Sequence, residues 1–121
     1  MGKDYLAVMD IGTQSSRVIV FDTHANVIYQ ASRTAQPYYS QQPGWAEMPS
    51  DQVWNDCKDI LTEVTRELGD EKKNIRSLAI TANRDNIMPL DKNLNPLRES
   101  IIWLDTRPTR AAVPAMNQTA P

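Results

Sequence analysis

The stretch DIGTQSSR, residues 10–17, gathers a carboxylate, a glycine, three hydroxyls, an amide and a guanidinium into a single turn. Backbone N–H groups and hydroxyls in a concave turn suit phosphate oxygens. Gly12 permits close backbone approach, and Arg17 adds a charge-assisted donor. Asp10 ends an apolar run and can hold Mg²⁺ directly or through water, because hard cations take carboxylate oxygens. The same residues also suit a plain polar hairpin in which Asp10 and Ser16 satisfy turn hydrogen bonds, and spacing alone does not choose. The stretch has no Gly-Lys-Ser/Thr and so is not a Walker A loop.

A second group, Asn83-Arg84-Asp85, follows the apolar run IRSLAIT. Ligands in α/β sheets cluster past strand C-termini, and an Arg beside an Asp offers fixed donors and an acceptor to a polyhydroxyl compound. Spacing alone favours a solvated turn with a weak surface pair. A third group lies in QPGWAEMPSDQVW, residues 42–54. There Trp45 near Glu47 can wall a polar site, or Trp45 and Trp54 can simply pack the loop onto the core. Cys57 is assigned to a buried helix face and His24 to an exposed turn.

Positioning these groups requires strands and a helix. Residues 5–9 (YLAVM) and 17–21 (RVIVF) read as strands of a hairpin closed by the polar turn between them. A turn at 22–26 leads to a third strand over 27–34. Residues 35–49, with Pro37, Pro43, Gly44 and Pro49, read as a loop. Ser50 is placed as a helix cap, with Asp51 at the positive end of the helix dipole. Val53, Trp54, Cys57, Ile60, Leu61, Val64 and Leu68 fall on one helical face, and Gly69 stops the helix. Residues 75–81 predict a strand, 87–90 a short edge-like one containing Pro89, 91–96 a turn, and 100–104 a last strand. Pro108 can open a helix that Pro114 would interrupt. The expected fold class is α/β with a mixed sheet that begins as antiparallel strands.

Composition narrows the classes. The chain has 121 residues, 13 Lys+Arg against 15 Asp+Glu, and a net charge of −2, so no basic excess exists to draw it to nucleic acid or anionic lipid. One cysteine and one histidine exclude an internal disulfide framework and a Cys/His zinc site. No apolar run approaches the roughly 20 residues a membrane helix needs. The N-terminus lacks a signal-peptide pattern, and Leu6 stands where myristoylation would want Ser or Thr. The expectation is a cytoplasmic protein with no nucleic-acid or membrane partner.

Taken together, YLAVMDIGTQSSRVIVFD, PGWAEMPSDQVW and LAITANRDNIMPLDKNLNPLRESIIWLDTR resemble, in order and spacing, the N-terminal part of the FGGY carbohydrate kinases, the family of glycerol kinase and xylulokinase. The resemblance spans residues 5 to about 110. It implies an actin-like, ribonuclease-H-like ATPase fold with two lobes and a cleft, and phosphorylation of a sugar or polyol hydroxyl by ATP with Mg²⁺. It makes residues 1–121 the N-terminal portion of the first lobe, an incomplete lobe with the second absent. By that resemblance Asp10 sits near the metal and transferred phosphate. Gly12, Thr13, Gln14, Ser15 and Arg17 belong to the nucleotide site, and Arg84, Asp85 and Trp103 to the substrate site. The general-base Asp is expected beyond residue 121, so no residue of this chain is assigned to catalysis.

Two departures bear on the substrate. Glycerol kinases of this family usually carry Thr where Gln14 stands and Gln-Arg-Glu where Asn83-Arg84-Asp85 stands, whereas xylulokinases generally carry Gln-Met-His there. Asp85 is one methylene shorter than Glu, which implies a different hydroxyl or a larger substrate and leans away from glycerol. Two alternatives stay open at this point: a non-catalytic sugar- or nucleotide-binding module, and another actin-like ATPase. A lobe ending at residue 121 is further expected to expose apolar surface and to associate, as a homo-oligomer or otherwise.

Overall fold

The computed structural model describes residues 3–107. Among them, two compact units form. The first runs to Gln36 and resumes over Asp51–Asn83; the second comprises Pro37–Ser50 and the chain from Arg84 onward.

The first unit is a sheet covered by a helix. Strands β1 (Tyr5–Ile11), β2 (Ser15–Asp22) and β3 (Val27–Thr34) form an antiparallel meander. Helix α1 (Gln52–Leu68) follows in this unit, and β5 (Ile75–Ala82) then returns parallel to β1, giving the order β3-β2-β1-β5. Alternation in β1 and β2 turns Tyr5, Ala7, Met9, Val18 and Val20 to one face. There they pack with Ala31 and with Cys57, Ile60 and Val64 of α1, forming the core. The mixed sheet with its antiparallel start is the one expected from sequence.

Three details of this unit differ from the sequence reading. Ser50 does not cap α1. Asp51 occupies the cap position in helical backbone geometry and makes no side-chain cap bond, while its carboxylate accepts instead from the Asn55 amide. Trp54 is 67% exposed, lying outside the stripe set by Cys57, Ile60 and Val64, with the Lys58 ammonium over its ring. The segment after α1, whose charges over residues 70–74 read as a plain connection, is a 3-10 turn, Gly69–Asn74.

The second unit is built from short pieces. The proline-rich segment expected to be wholly irregular contains β4 (Glu47–Met48), which pairs antiparallel with β6 (Ser100–Ile101). The last strand is thus shorter than residues 100–104, because Ile102 to Asp105 turn back on themselves through Asp105 N–H to Ile102 O. Residues 87–90 form single bridges, Ile87 to Ile101 and Leu90 to Pro96, rather than a strand; Pro89 cannot donate to a ladder. The expectation of a helix opening at Pro108 lies outside the described residues. No helix among the described residues is long and apolar enough to cross a membrane.

Candidate functional site

In the first unit the hairpin β1–β2 closes on Thr13 and Gln14. Gly12 N–H donates to Ser15 O across it at 2.9 Å. A Cβ on Gly12 would stand 2.9 Å from that same carbonyl oxygen, so the turn itself requires glycine. The close approach expected of Gly12 is therefore one to Ser15 of its own turn. Asp10 and Arg17 are cross-strand partners in the β1–β2 register. Their side chains form an ion pair at 3.6 Å while 45% and 51% exposed, so the pair contributes little stability and both groups stay open to water. Arg17 also reaches the Ser15 hydroxyl at 3.5 Å.

The turn is held from outside by both its flanks. Ala35 N–H donates to Gln14 O at 2.8 Å, and Asn83 N–H to Ile11 O at 2.9 Å. The Asn83 amide also donates to the Thr13 hydroxyl at 3.1 Å. Asn83 thus belongs with the hairpin, whereas its sequence neighbours Arg84 and Asp85 belong to the second unit. One polar motif serves two places.

In the second unit, a hollow of about 330 Å³ is lined by Asp85, Ile87, Ile101, Ile102, Trp103 and Asp105. It brings together Asp85 and Trp103 of the expected substrate residues; Arg84 is exposed and does not line it. Asp85 has φ of +63°, a left-handed conformation that Asp tolerates better than most residues. Trp103 is 52% exposed, and its backbone N–H donates to the Asn86 side-chain oxygen at 3.0 Å. The hollow therefore combines the Asp85 and Asp105 carboxylates with aromatic and aliphatic side chains, a mixture usual in small-molecule sites.

Behind Trp103 lies a buried ionic cluster. Glu47 and Asp105 are both buried. Arg107 reaches Glu47 at 3.0 Å and Asp105 at 2.6 Å, and Arg98 donates to Glu47 as well. The Arg107 guanidinium carbon lies 3.9 Å from the centre of the Trp45 ring, a stacking contact. The Arg107 hydrogen bonds, aided by the Ala46 and Arg107 N–H groups, hold the Asp105 carboxyl far below the usual carboxylate range against the opposing effect of burial. Trp45 and Glu47 were read from sequence either as one wall of a polar site or, for Trp45, as loop packing; Trp45 stacks on Arg107, Glu47 is buried in this cluster, and neither lines the hollow. Asp105, Arg98 and Arg107 were not picked out, although Trp103, Asp105 and Arg107 alternate in SIIWLDTR and could have signalled a shared face.

The Asp10 carboxylate and the Thr13 and Ser15 hydroxyls are the groups of the hairpin whose chemistry would suit a hard cation and phosphate oxygens. Among the described residues no three His, Cys, Asp or Glu side chains gather into a metal cage. A lone accessible carboxylate such as Asp10 matches Mg²⁺, which commonly keeps several waters and takes one or two carboxylates beside substrate phosphates. Cys57 is buried in the core, where burial pushes its thiol up, and His24 lies in an exposed turn.

Comparison with known proteins adds the following. The description "FGGY family of carbohydrate kinases, N-terminal domain" matches residues 5–118. A glycerol kinase of Trichodesmium erythraeum is 30% identical over 104 residues, covering 85% of this chain and 20% of the relative. The crystal structure of xylulose kinase from Rhodospirillum rubrum superposes with a TM-score of 0.85 at 26% identity, over 95% of this chain and 23% of that one. Plasmodium falciparum glycerol kinase, solved with ADP, superposes at 0.78 with 22% identity, over 98% of this chain and 24% of that one. The chain spans about a fifth of the length of the curated relatives it matches. The fold is that of the N-terminal part of these kinases, the actin-like fold the sequence implied.

Proposed function

This chain belongs to the FGGY family of carbohydrate kinases, and from that premise we propose that the protein carrying it transfers the γ-phosphoryl group of ATP to a hydroxyl of a sugar or polyol. We place it in the cytoplasm, where Mg²⁺ and ATP are supplied. The observation that carries the reading is the β1–β2 hairpin, which presents Asp10 and Arg17 side by side next to the Thr13-Gln14 turn.

In this reading Asp10 holds Mg²⁺, directly or through water, and the ion when bound offsets phosphate charge. Thr13, Gln14 and Ser15 offer hydroxyl and amide groups to the phosphate oxygens, and Gly12 keeps the turn tight enough to present them. Arg17, across the ladder from Asp10 and open to water, supplies a cation to the phosphates. Because phosphoryl transfer depends chiefly on positioning and charge, these are the tasks such a turn must perform. Asp85 accepts hydrogen bonds from acceptor hydroxyls and Trp103 packs against the carbon skeleton, while Arg84, which lies outside the hollow, would have to swing toward the acceptor to donate to it. The short Asp85 side chain favours an acceptor other than glycerol.

The test is an ADP-release assay with Mg-ATP over a panel of polyols and ketoses. Turnover with at least one acceptor is expected. No turnover with any of them, while a known kinase works alongside, overturns the reading.

A further inference from the structure

The backbone of Ala46 grips both ends of the turn that carries Trp103. Ile102 N–H donates to Ala46 O at 3.1 Å, and Ala46 N–H donates to Asp105 Oδ2 at 2.7 Å. Asp105 N–H closes the turn on Ile102 O at 2.9 Å. Trp103 and Leu104 are the two residues left at its corner. Thr106 then donates to Gly44 O through both its N–H, at 2.9 Å, and its hydroxyl, at 3.0 Å.

The gripping strand is itself fixed. Trp45 N–H donates to Gln42 O at 3.0 Å across Pro43-Gly44. Gly44 has φ of +87°, the pattern of a type II turn with proline second and glycine third. Arg107 ties the two segments together: it is forked onto Asp105, bonded to Glu47, and stacked on Trp45. A planar fork with an aromatic face is a task that lysine does not reproduce.

We propose that Arg107, Asp105 and Glu47 form a brace that positions Trp103 in the acceptor hollow, so that the Pro-Gly-Trp segment acts on acceptor binding without touching the acceptor. The three are positioning residues. Asp105 contributes to the hollow's lining but spends both carboxylate oxygens on Ala46 and Arg107. The inference about acceptor binding rests on the kinase reading; the inference about Trp103 does not.

The test uses the protein carrying this sequence, labelled with 5-fluorotryptophan, with the Trp103 resonance assigned by W103F. R107K and D105N should each shift or broaden that resonance while the Trp54 resonance, from the other unit, stays in place and reports a folded sheet. In the same variants KM for the acceptor should rise about 10- to 100-fold, the range a small misplacement of a substrate-positioning group produces, with KM for ATP unchanged. A Trp103 resonance that stays fixed in both variants overturns the brace. A uniform fall in kcat with both KM values unchanged also overturns it, because that is what partial loss of folded enzyme gives. A shifted Trp103 resonance in a protein that turns over no acceptor upholds the brace and removes the kinase reading instead.

Discussion

Asp10 carries the sharpest prediction at the scale of single residues. Asp10→Asn should lower turnover on the order of 100-fold or more, as loss of a preorganised charge at a phosphoryl site does. It should cost less than about 1 kcal/mol of stability, because its pair with Arg17 is exposed. Steady-state kinetics and urea unfolding on the same variant check both halves, and an unchanged rate removes Asp10 from the mechanism. Gly12→Ala should destabilise by about 1–3 kcal/mol, since the new methyl meets a backbone carbonyl that cannot step aside. The pentapeptides DTHAN and DKNLN supply another pair of sites. In each, the Asp carboxylate accepts from two backbone N–H groups and the final Asn amide. The fourth residue sits at positive φ, Ala25 at +64° and Leu94 at +66°. Ala25→Gly and Leu94→Gly should each stabilise by up to about 1 kcal/mol, the left-handed penalty outweighing glycine's entropy; thermal unfolding reads it. Residue types in the hairpin suggested phosphate and cation chemistry beside a plain polar turn, and spacing alone did not choose between them. The reason for Gly12 did not show there, because a contact with Ser15 O exists only once the turn is folded.

At the scale of elements, periodicity served where an element buries one long face. β1, β2 and α1 were legible for that reason, whereas β3 and β5, exposed along most of their length, were legible as apolar and β-branched runs between turns. β4 was not, because a strand of two residues carries no period and is fixed by its partner, and β6 was legible only as part of a longer strand expected over residues 100–104. Trp54 shows the opposite failure: it lies near the apolar stripe in spacing yet just outside it in angle. Ile60→Ala, at a fully buried site under the sheet, should therefore cost about 2–5 kcal/mol. Trp54→Ala should cost no more than about 1 kcal/mol, its cation contact with Lys58 being exposed. Chemical denaturation of the two variants separates them. Acid should also act through the elements. Glu63 of α1 is held below its ordinary range by hydrogen bonds from Arg33 and Tyr29 of β3, and Glu71 by bonds from Tyr5 and Lys3. A carboxyl with a depressed folded value binds protons more readily when unfolded. Its contribution is complete above the ordinary carboxylate value and is lost as the pH falls toward the folded one. Urea midpoints should hold steady from pH 7 to about 5 and fall below about pH 4; a flat profile down to pH 3 would contradict this.

For the molecule as a whole, the division into two units was invisible in the sequence. The boundary falls inside Asn83-Arg84-Asp85, a motif that reads as one site, and the second unit is assembled from segments far apart in the chain. Family membership was legible because several short motifs kept their order and spacing. The identity of the acceptor was not, because one shortened carboxylate changes reach without naming a ligand. Strand β5 is the other molecular-scale feature: it lies at the end of the sheet order, and its apolar side chains Leu78 and Ile80 are exposed, Ile80 by 63%. Such an edge recruits other strands or surfaces. Residues 1–121 expressed alone should sediment as more than a monomer at micromolar concentration, and Leu78→Lys with Ile80→Lys should shift the distribution toward monomer. A clean monomer before mutation would refute this. The parallel pairing of β1 with β5 also sets an order of events. Tyr5 meets Ile75 across the ladder, so on a ribosome the first strand to emerge must wait for nearly the last part of its sheet to be made. The β1–β2–β3 meander can close at once through local contacts, whereas the β1–β5 ladder carries the loop-closure cost of everything between. Amides of β2 and β3 should gain protection from exchange before those of β5.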